Sequence, residues 1–284
     1  MSQTMAQERA DWSWTWRVVA IVVGLVVMIA VVVATAPANW LAHFLAARTQ
    51  GRVLLADARG TIWSGNAVLA LGSSTVVENN EPQNEARDAT EGSTRLALPG
   101  RVRWTLQIVR TLAPVLHLTH DGVLLQPVEV RYANGDLAIA AGAAVLPTSM
   151  LRLAGTPLNT LRPEGRSEVR WGATRIDARG RLIGAGTVRI GDLALAVSPV
   201  KPLGDYRVTW ASDANGLTWQ IATEQGPLEL KGAGSVAGRR VQMRVTAKPA
   251  ADAPAAVVAR LKSLLDTIGT HGGTEAVMEM GSRG

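Results

Sequence analysis

Residues Val18 to Ala36 form an unbroken apolar run, VVAIVVGLVVMIAVVVATA, without a charged side chain. At a rise of ~1.5 Å per residue this run reaches roughly 28 Å as a helix, close to the ~30 Å hydrocarbon core of a bilayer. A charge at its centre would cost about 2.5–3.5 kcal/mol on insertion, and the run carries none. Trp12, Trp14 and Trp16 precede it and Trp40 follows. Indole rings favour the headgroup layer, so Trp16 and Trp40 mark the borders of a span. Ala34-Thr35-Ala36 resembles a small-residue cleavage site, but the run is longer than the apolar core of a cleaved leader. The expectation is one uncleaved transmembrane helix over 18–36, with Val18 and Ala36 as its ends. Arg9 and Arg17 before it and Arg48 and Arg52 after it do not decide its orientation. A short tail and a long following body favour a cytoplasmic N-terminus.

The body has the apolar content for a core, 47% of the chain. Its formal charge of +6 comes mostly from scattered Arg residues, with no basic run of the kind that binds nucleic acid. There is no Cys, which excludes disulfides, thiolate metal sites and Cys nucleophiles.

Leu41, Phe44 and Leu45 have helical spacing, which predicts one or two turns starting near Pro37 or Asn39. From Val53 onward, strand patterns dominate. Asn134-Gly135 lies between the alternating runs Val128 to Val130 and Leu137 to Ile139, a strong hairpin signal. Between Tyr206 and Thr246, four alternating runs are separated by Asn215-Gly216, Gly226-Pro227 and Ala237-Gly238, which predicts an antiparallel meander. Glu78 to Thr94 is polar and aperiodic and reads as a surface loop. Val257, Val258, Leu261, Leu264, Leu265 and Ile268 share one face of a C-terminal amphipathic helix, packed on the sheet. The residues from Thr270 onward read as a frayed end. Asp57-Ala58-Arg59-Gly60 recurs as Asp177-Ala178-Arg179-Gly180, and the interval from Trp63 to Trp104 resembles that from Trp171 to Trp210. Two similar β-units would explain both.

Chemistry is sparse. His117 and His120 lie three apart in a strand pattern and so point to opposite faces, which prevents them from sharing a metal. Gly232 to Gly238 is glycine-rich but lacks the spacing and following helix of a phosphate loop. No HExxH, Walker lysine loop or GxSxG elbow occurs. No catalytic residue, metal ligand or cofactor site is assigned, and the expectation is a non-enzyme. Trp63, Trp104, Trp171 and Trp210 are the candidate partner-contact residues.

Several segments, in order, carry a family resemblance: Arg59 to Gly65 (RGTIWSG), Val102 to Leu106 (VRWTL) with Leu112 to Leu118, Leu158 to Gly165 (LNTLRPEG), Leu203 to Tyr206 (LGDY) and Gly226 to Gly234 (GPLELKGAG). With the single N-terminal span, they resemble type II secretion system protein N. The resemblance implies a single-pass protein of the bacterial inner membrane with a periplasmic domain. It implies an accessory part in protein export, with other type II secretion subunits as partners, and no catalytic residue.

The expected fold is mainly β: one transmembrane helix, then an elongated, curved antiparallel sheet with a C-terminal helix. The expected organisation is a cytoplasmic tail (1–17), the span (18–36), a juxtamembrane segment (37–52), a periplasmic β-rich domain (53–250) and a C-terminal helix and tail (251–284). The alternative function is a membrane-anchored lipid-binding or lipid-transfer module, which requires a continuous apolar groove along the sheet.

Overall fold

The computed structural model describes residues 21–25, 27–29, 31–72, 95–108, 113–154, 161–238, 240–268, 270–272 and 275–281. The mainly β expectation holds: among the described residues seventeen strands join into one antiparallel sheet. The polar loop predicted at 78–94 lies outside the described residues.

Residues 21–25, 27–29 and 31–34 are helical and exposed. Among the described residues no helix is long and apolar enough to cross a membrane. Positions 18–20, 26 and 30 of the expected span, Val18 included, lie outside the described residues, as do Trp12, Trp14 and Trp16. Ala36, its other end, is buried, and its carbonyl accepts a hydrogen bond from the Ile62 amide at 2.9 Å. Helix α1 (Ala38–Arg48) follows the non-capping Pro37. It packs Ala38 and Leu41 against the sheet and leaves Trp40 and Phe44 exposed.

The first part of the sheet comprises β1 (Val53–Gly60), β2 (Ser64–Gly72), β3 (Arg95–Ala97), β4 (Val102–Ile108), β5 (Pro114–His120), β6 (Val128–Ala133) and β7 (Asp136–Ile139). The hairpin expected at Asn134-Gly135 is present between β6 and β7. Both turn residues have positive φ, 54° and 85°, the geometry that matches strand twist in a two-residue loop.

The second part comprises β8 (Gly142–Pro147), a 3-10 turn (Thr148–Ala154), β9 (Pro163–Trp171), β10 (Thr174–Ile176), β11 (Leu182–Leu195), β12 (Gly204–Ser212), β13 (Leu217–Gln225), β14 (Leu228–Ala237) and β15 (Arg240–Pro249). Strands β12 to β15 are the expected meander. The long β11 joins the two parts. Leu182 and Ile183 pair with β10, and through it with β7, while Gly186 to Leu195 pair with β9. Its other edge pairs with β12 from Gly184 to Leu193, with one irregularity between Ile190 and Leu193.

After β15 come helix α2 (Ala255–Ile268), β16 (Thr270–Gly272) and β17 (Glu275–Gly281). Leu261, Leu264 and Leu265 of α2 are buried while Lys262, Ser263 and Asp266 are exposed. They close a core with Tyr206, Leu203, Leu228 and Ala247 at one end of the sheet. The frayed end expected from Thr270 onward is corrected by the structure, since β17 pairs with β15 from Ala276 to Gly281. Ala276, Met278 and Met280 repeat every second residue, the period of a strand. The repeated Asp-Ala-Arg-Gly segments occupy unlike places. Residues 57–60 sit at an irregularity inside β1, and residues 177–180 turn the chain between β10 and β11.

Candidate functional site

Residues directly opposite in antiparallel strands share a face, and so do i and i+2 along one strand. These two rules place a ladder of tryptophan and glycine across the second part of the sheet. Trp171 stands between Gly142 and Gly186. Gly186 also faces Trp210, Trp210 faces Trp219, and Trp219 faces Gly234. Met243 follows Gly234.

Each ring lies over a glycine. A Cβ on Gly142 would sit 2.5 Å from the Trp171 ring, on Gly186 2.8 Å from Trp210, and on Gly234 2.5 Å from Trp219. Only hydrogen fits in those spaces, so the glycines are required by the rings. In the first part of the sheet, Gly65 and Trp104 repeat the pairing.

The ladder is not a closed core. Trp171, Trp210, Trp219 and Met243 are half-buried, and the last three belong to none of the three core clusters. Further along the same face, Tyr132 pairs with Leu137, Leu137 with Ile176, and Ile176 with Leu182. Tyr132 is 49% exposed, and Leu137 and Leu182 are exposed too.

The opposite face is charged. Arg207 and Arg189 pair with Glu224, Arg170 with Glu168, and Arg244 with Glu279. A wide-open cavity of about 590 Å³ is lined by Thr218, Gln220, Gln242, Arg244 and Glu279 of this face and also by Trp219 and Met243. It adjoins β17, whose residues Met278 to Gly281 pair on one side only among the described residues.

Of the four candidate contact tryptophans, Trp104 is 3% exposed and donates its indole N–H to Thr61 O at 3.2 Å. Trp63 is half-buried, and its Nε1 donates to Val33 O at 2.8 Å, tying the N-terminal helical segment to the β1–β2 turn. Trp171 donates to Ala140 O at 2.9 Å. The structure brings Trp171 and Trp210 into one row and leaves Trp63 and Trp104 in the first part of the sheet. Trp219, absent from the candidates, completes the row. Its signal was the position directly across the Asn215-Gly216 turn from Trp210.

His117 and His120 lie on opposite faces of β5. His120 is buried, with Nδ1 3.0 Å from Asp121 O and Nε2 without a protein partner. Among the described residues no group of three His, Cys, Asp or Glu could hold a metal ion. Several carboxyls sit below their ordinary range. Arg101 and then Arg59 hydrogen-bond to Asp57, and Arg181 hydrogen-bonds to Asp177. The amides of Asn215 and Gly216 bond to Asp213. All three stabilise turns or a strand irregularity.

Comparison with known proteins gives no match at a significant level among curated proteins or solved structures. One family does match, described as type II secretion system (T2SS), protein N, over residues 51–277 of the 284. That stretch runs from the start of β1 into β17 and takes in both parts of the sheet, so the chain belongs to the type II secretion system protein N family.

Proposed function

We propose that this protein is an accessory inner-membrane component of the type II secretion machinery, held by one span over 18–36, with its β-rich body in the periplasm. It acts through protein–protein contacts and not as an enzyme. The observation that carries this reading is the family membership over residues 51–277.

The surface of the N-terminal region supports an anchor. Ile21 is 70% exposed, and the Val, Leu, Met and Ile side chains described up to Val33 are exposed too. A helix that is apolar all round needs an apolar surrounding. On α1, Trp40 and Phe44 are 58% and 59% exposed, and the Arg48 guanidinium lies 5.4 Å from the Phe44 ring. Aromatic rings beside a basic group at the end of an apolar helix suit the headgroup layer. The open cavity beside β17 offers the side-chain donors and acceptors of Gln220, Gln242 and Arg244 to other subunits, and the one-sided edge of β17 offers backbone groups for strand addition. Trp63, Trp171 and Trp210 have surface available for contacts. Tethering in the membrane raises the effective concentration for partners anchored alongside.

The test is crosslinking of the full-length protein in intact cells, followed by membrane fractionation. Recovery with the inner membrane and with other secretion subunits is the expected result. Recovery from the cytosol, or from the membrane without any secretion subunit, would refute the reading.

A further inference from the structure

Among the described residues the apolar face of the sheet is covered by α2 at the end bearing Tyr206 and Leu228, and Trp171 packs against a second core of Leu98, Val123 and Ala144, while Trp210, Trp219 and Met243 lie outside these clusters. From Gly186 of β11 to Met243 of β15 the part of the ladder outside those cores crosses five strands, about 19 Å at ~4.8 Å per strand spacing. Val188 and Val208 face each other in the row between the ladder and the α2 core, and both are half-buried. A surface of Val, Trp and Met this long requires an apolar neighbour.

We propose that this face holds the acyl chains of a phospholipid taken from the membrane in which the protein is anchored. The inference rests on the membrane placement proposed above and adds a ligand to it. Three observations select an alkyl chain as occupant. First, the backbone N–H and C=O groups beneath the ladder are spent on neighbouring strands. A peptide laid across the face would therefore bring amides with nothing to bond them, whereas an alkyl chain brings none. Second, among the described residues the indole N–H groups of Trp210 and Trp219 have no protein acceptor, unlike those of Trp63, Trp104 and Trp171. Both indoles are half-buried with the N–H available to donate, and an ester oxygen is an acceptor for it.

Third, the face is open at the correct end. Strand register places the Tyr132–Leu137 pair, Leu182 and the turn at Thr61–Trp63 at the same end of their strands. That turn is where the N-terminal helical segment docks, through Trp63 to Val33 and Ile62 to Ala36. The exposed apolar row of Tyr132, Leu137 and Leu182 lies four residues along β11 from Gly186, on the ladder's own face. A chain of half the ~30 Å hydrocarbon thickness fits within the ladder's span.

The experiment uses full-length protein in cells labelled with radioactive phosphate. A photo-crosslinking amino acid replaces Trp219 or Met243 on the apolar face, and Gln220 or Arg244 on the charged face. The expected result is a phosphate-labelled adduct at 219 and 243 at least fivefold above that at 220 and 244. Equal labelling of the two faces, no labelling, or protein adducts alone at 219 and 243 would overturn the proposal. Recovery of other secretion subunits with the same chains is read separately. A loss there with lipid labelling intact refutes the secretion reading, and the reverse refutes the lipid reading alone.

Discussion

Trp210 and Trp219 stand directly opposite each other in β12 and β13, and each has a glycine as its other cross-strand neighbour, Gly186 on one side and Gly234 on the other. The two rings extend over those glycines. The hairpin register therefore fixes where glycine must occur two strands away from each tryptophan's partner.

Substitution of Gly186 or Gly234 by Val would force a ring off its seat. The expected loss is about 1–3 kcal/mol, the usual cost of overpacking. Gly172→Ala is the control, since its nearest foreign atom would be 3.8 Å away. Urea unfolding of the full-length protein in detergent measures all three. A Gly234→Val protein as stable as the parent would show that Trp219 is not seated on Gly234.

Tyr206 is fully buried, with its hydroxyl 3.1 Å from Leu203 O and 2.9 Å from Leu228 O, to which it donates. Tyr206→Phe removes that donor while Leu203 O keeps the Leu228 amide at 3.1 Å, so the expected cost is about 1 kcal/mol, that of one hydrogen bond. Burial raises the phenol pKa above its ordinary 10.0. The folded state therefore favours the protonated form. That contribution is complete below about pH 10 and is lost as pH rises beyond it, because the unfolded chain ionises first. The parent should lose stability at alkaline pH more steeply than the Phe variant.

The meander and the Asn134-Gly135 hairpin were legible because period-two alternation and turn chemistry are local properties. The ladder was not. Trp171, Trp210 and Trp219 share a row only through register, in which Gly186 pairs with Trp171, 15 positions before it, and with Trp210, 24 positions after it. Strand β17 escaped because Ala and Glu are poor strand formers by themselves. Pairing with β15 and packing of Ala276 beneath α2 override that preference. The four-residue repeat misled for a related reason. Asp57 and Asp177 both accept arginine hydrogen bonds, yet one serves a strand irregularity and the other a turn.

Asp177 accepts hydrogen bonds from Arg181 Nε at 2.7 Å and from the Arg179 and Arg181 amides at 2.9 Å. Its pKa lies below the ordinary 3.8, first because of the Arg181 side chain. A depressed carboxyl stabilises the folded state above its unfolded pKa, and that contribution disappears as pH falls through the folded value. Asp177→Asn should flatten the decline of the melting temperature below about pH 4. An unchanged acid limb would mean that the turn is held by its backbone bonds alone.

Leu264 of α2 is 2% exposed and packs in the core with Tyr206 and Leu228. Leu264→Ala should destabilise that end of the sheet by about 2–5 kcal/mol, through lost burial and the cavity left behind. Lys262→Ala, on the exposed side of the same helix, should change stability by under about 0.5 kcal/mol. Limited proteolysis after β15 distinguishes local from global effects. Early cleavage between Ala250 and Ala255 in the Leu264 variant alone is expected, because α2 is held to the sheet chiefly by this face.

The Trp63 indole joins the N-terminal helical segment to the β1–β2 turn through Val33 O. Trp63→Phe keeps an aromatic ring and removes the donor. One hydrogen bond of about 1 kcal/mol corresponds to roughly a fivefold rise in the open population of the junction. Protease cleavage near Pro37, measured on full-length protein in vesicles, should accelerate by about that factor while the melting of the β-body stays unchanged. The Ile62 to Ala36 backbone bond remains in the variant, so the junction loosens without separating. Unchanged cleavage would mean that this backbone bond holds the junction unaided.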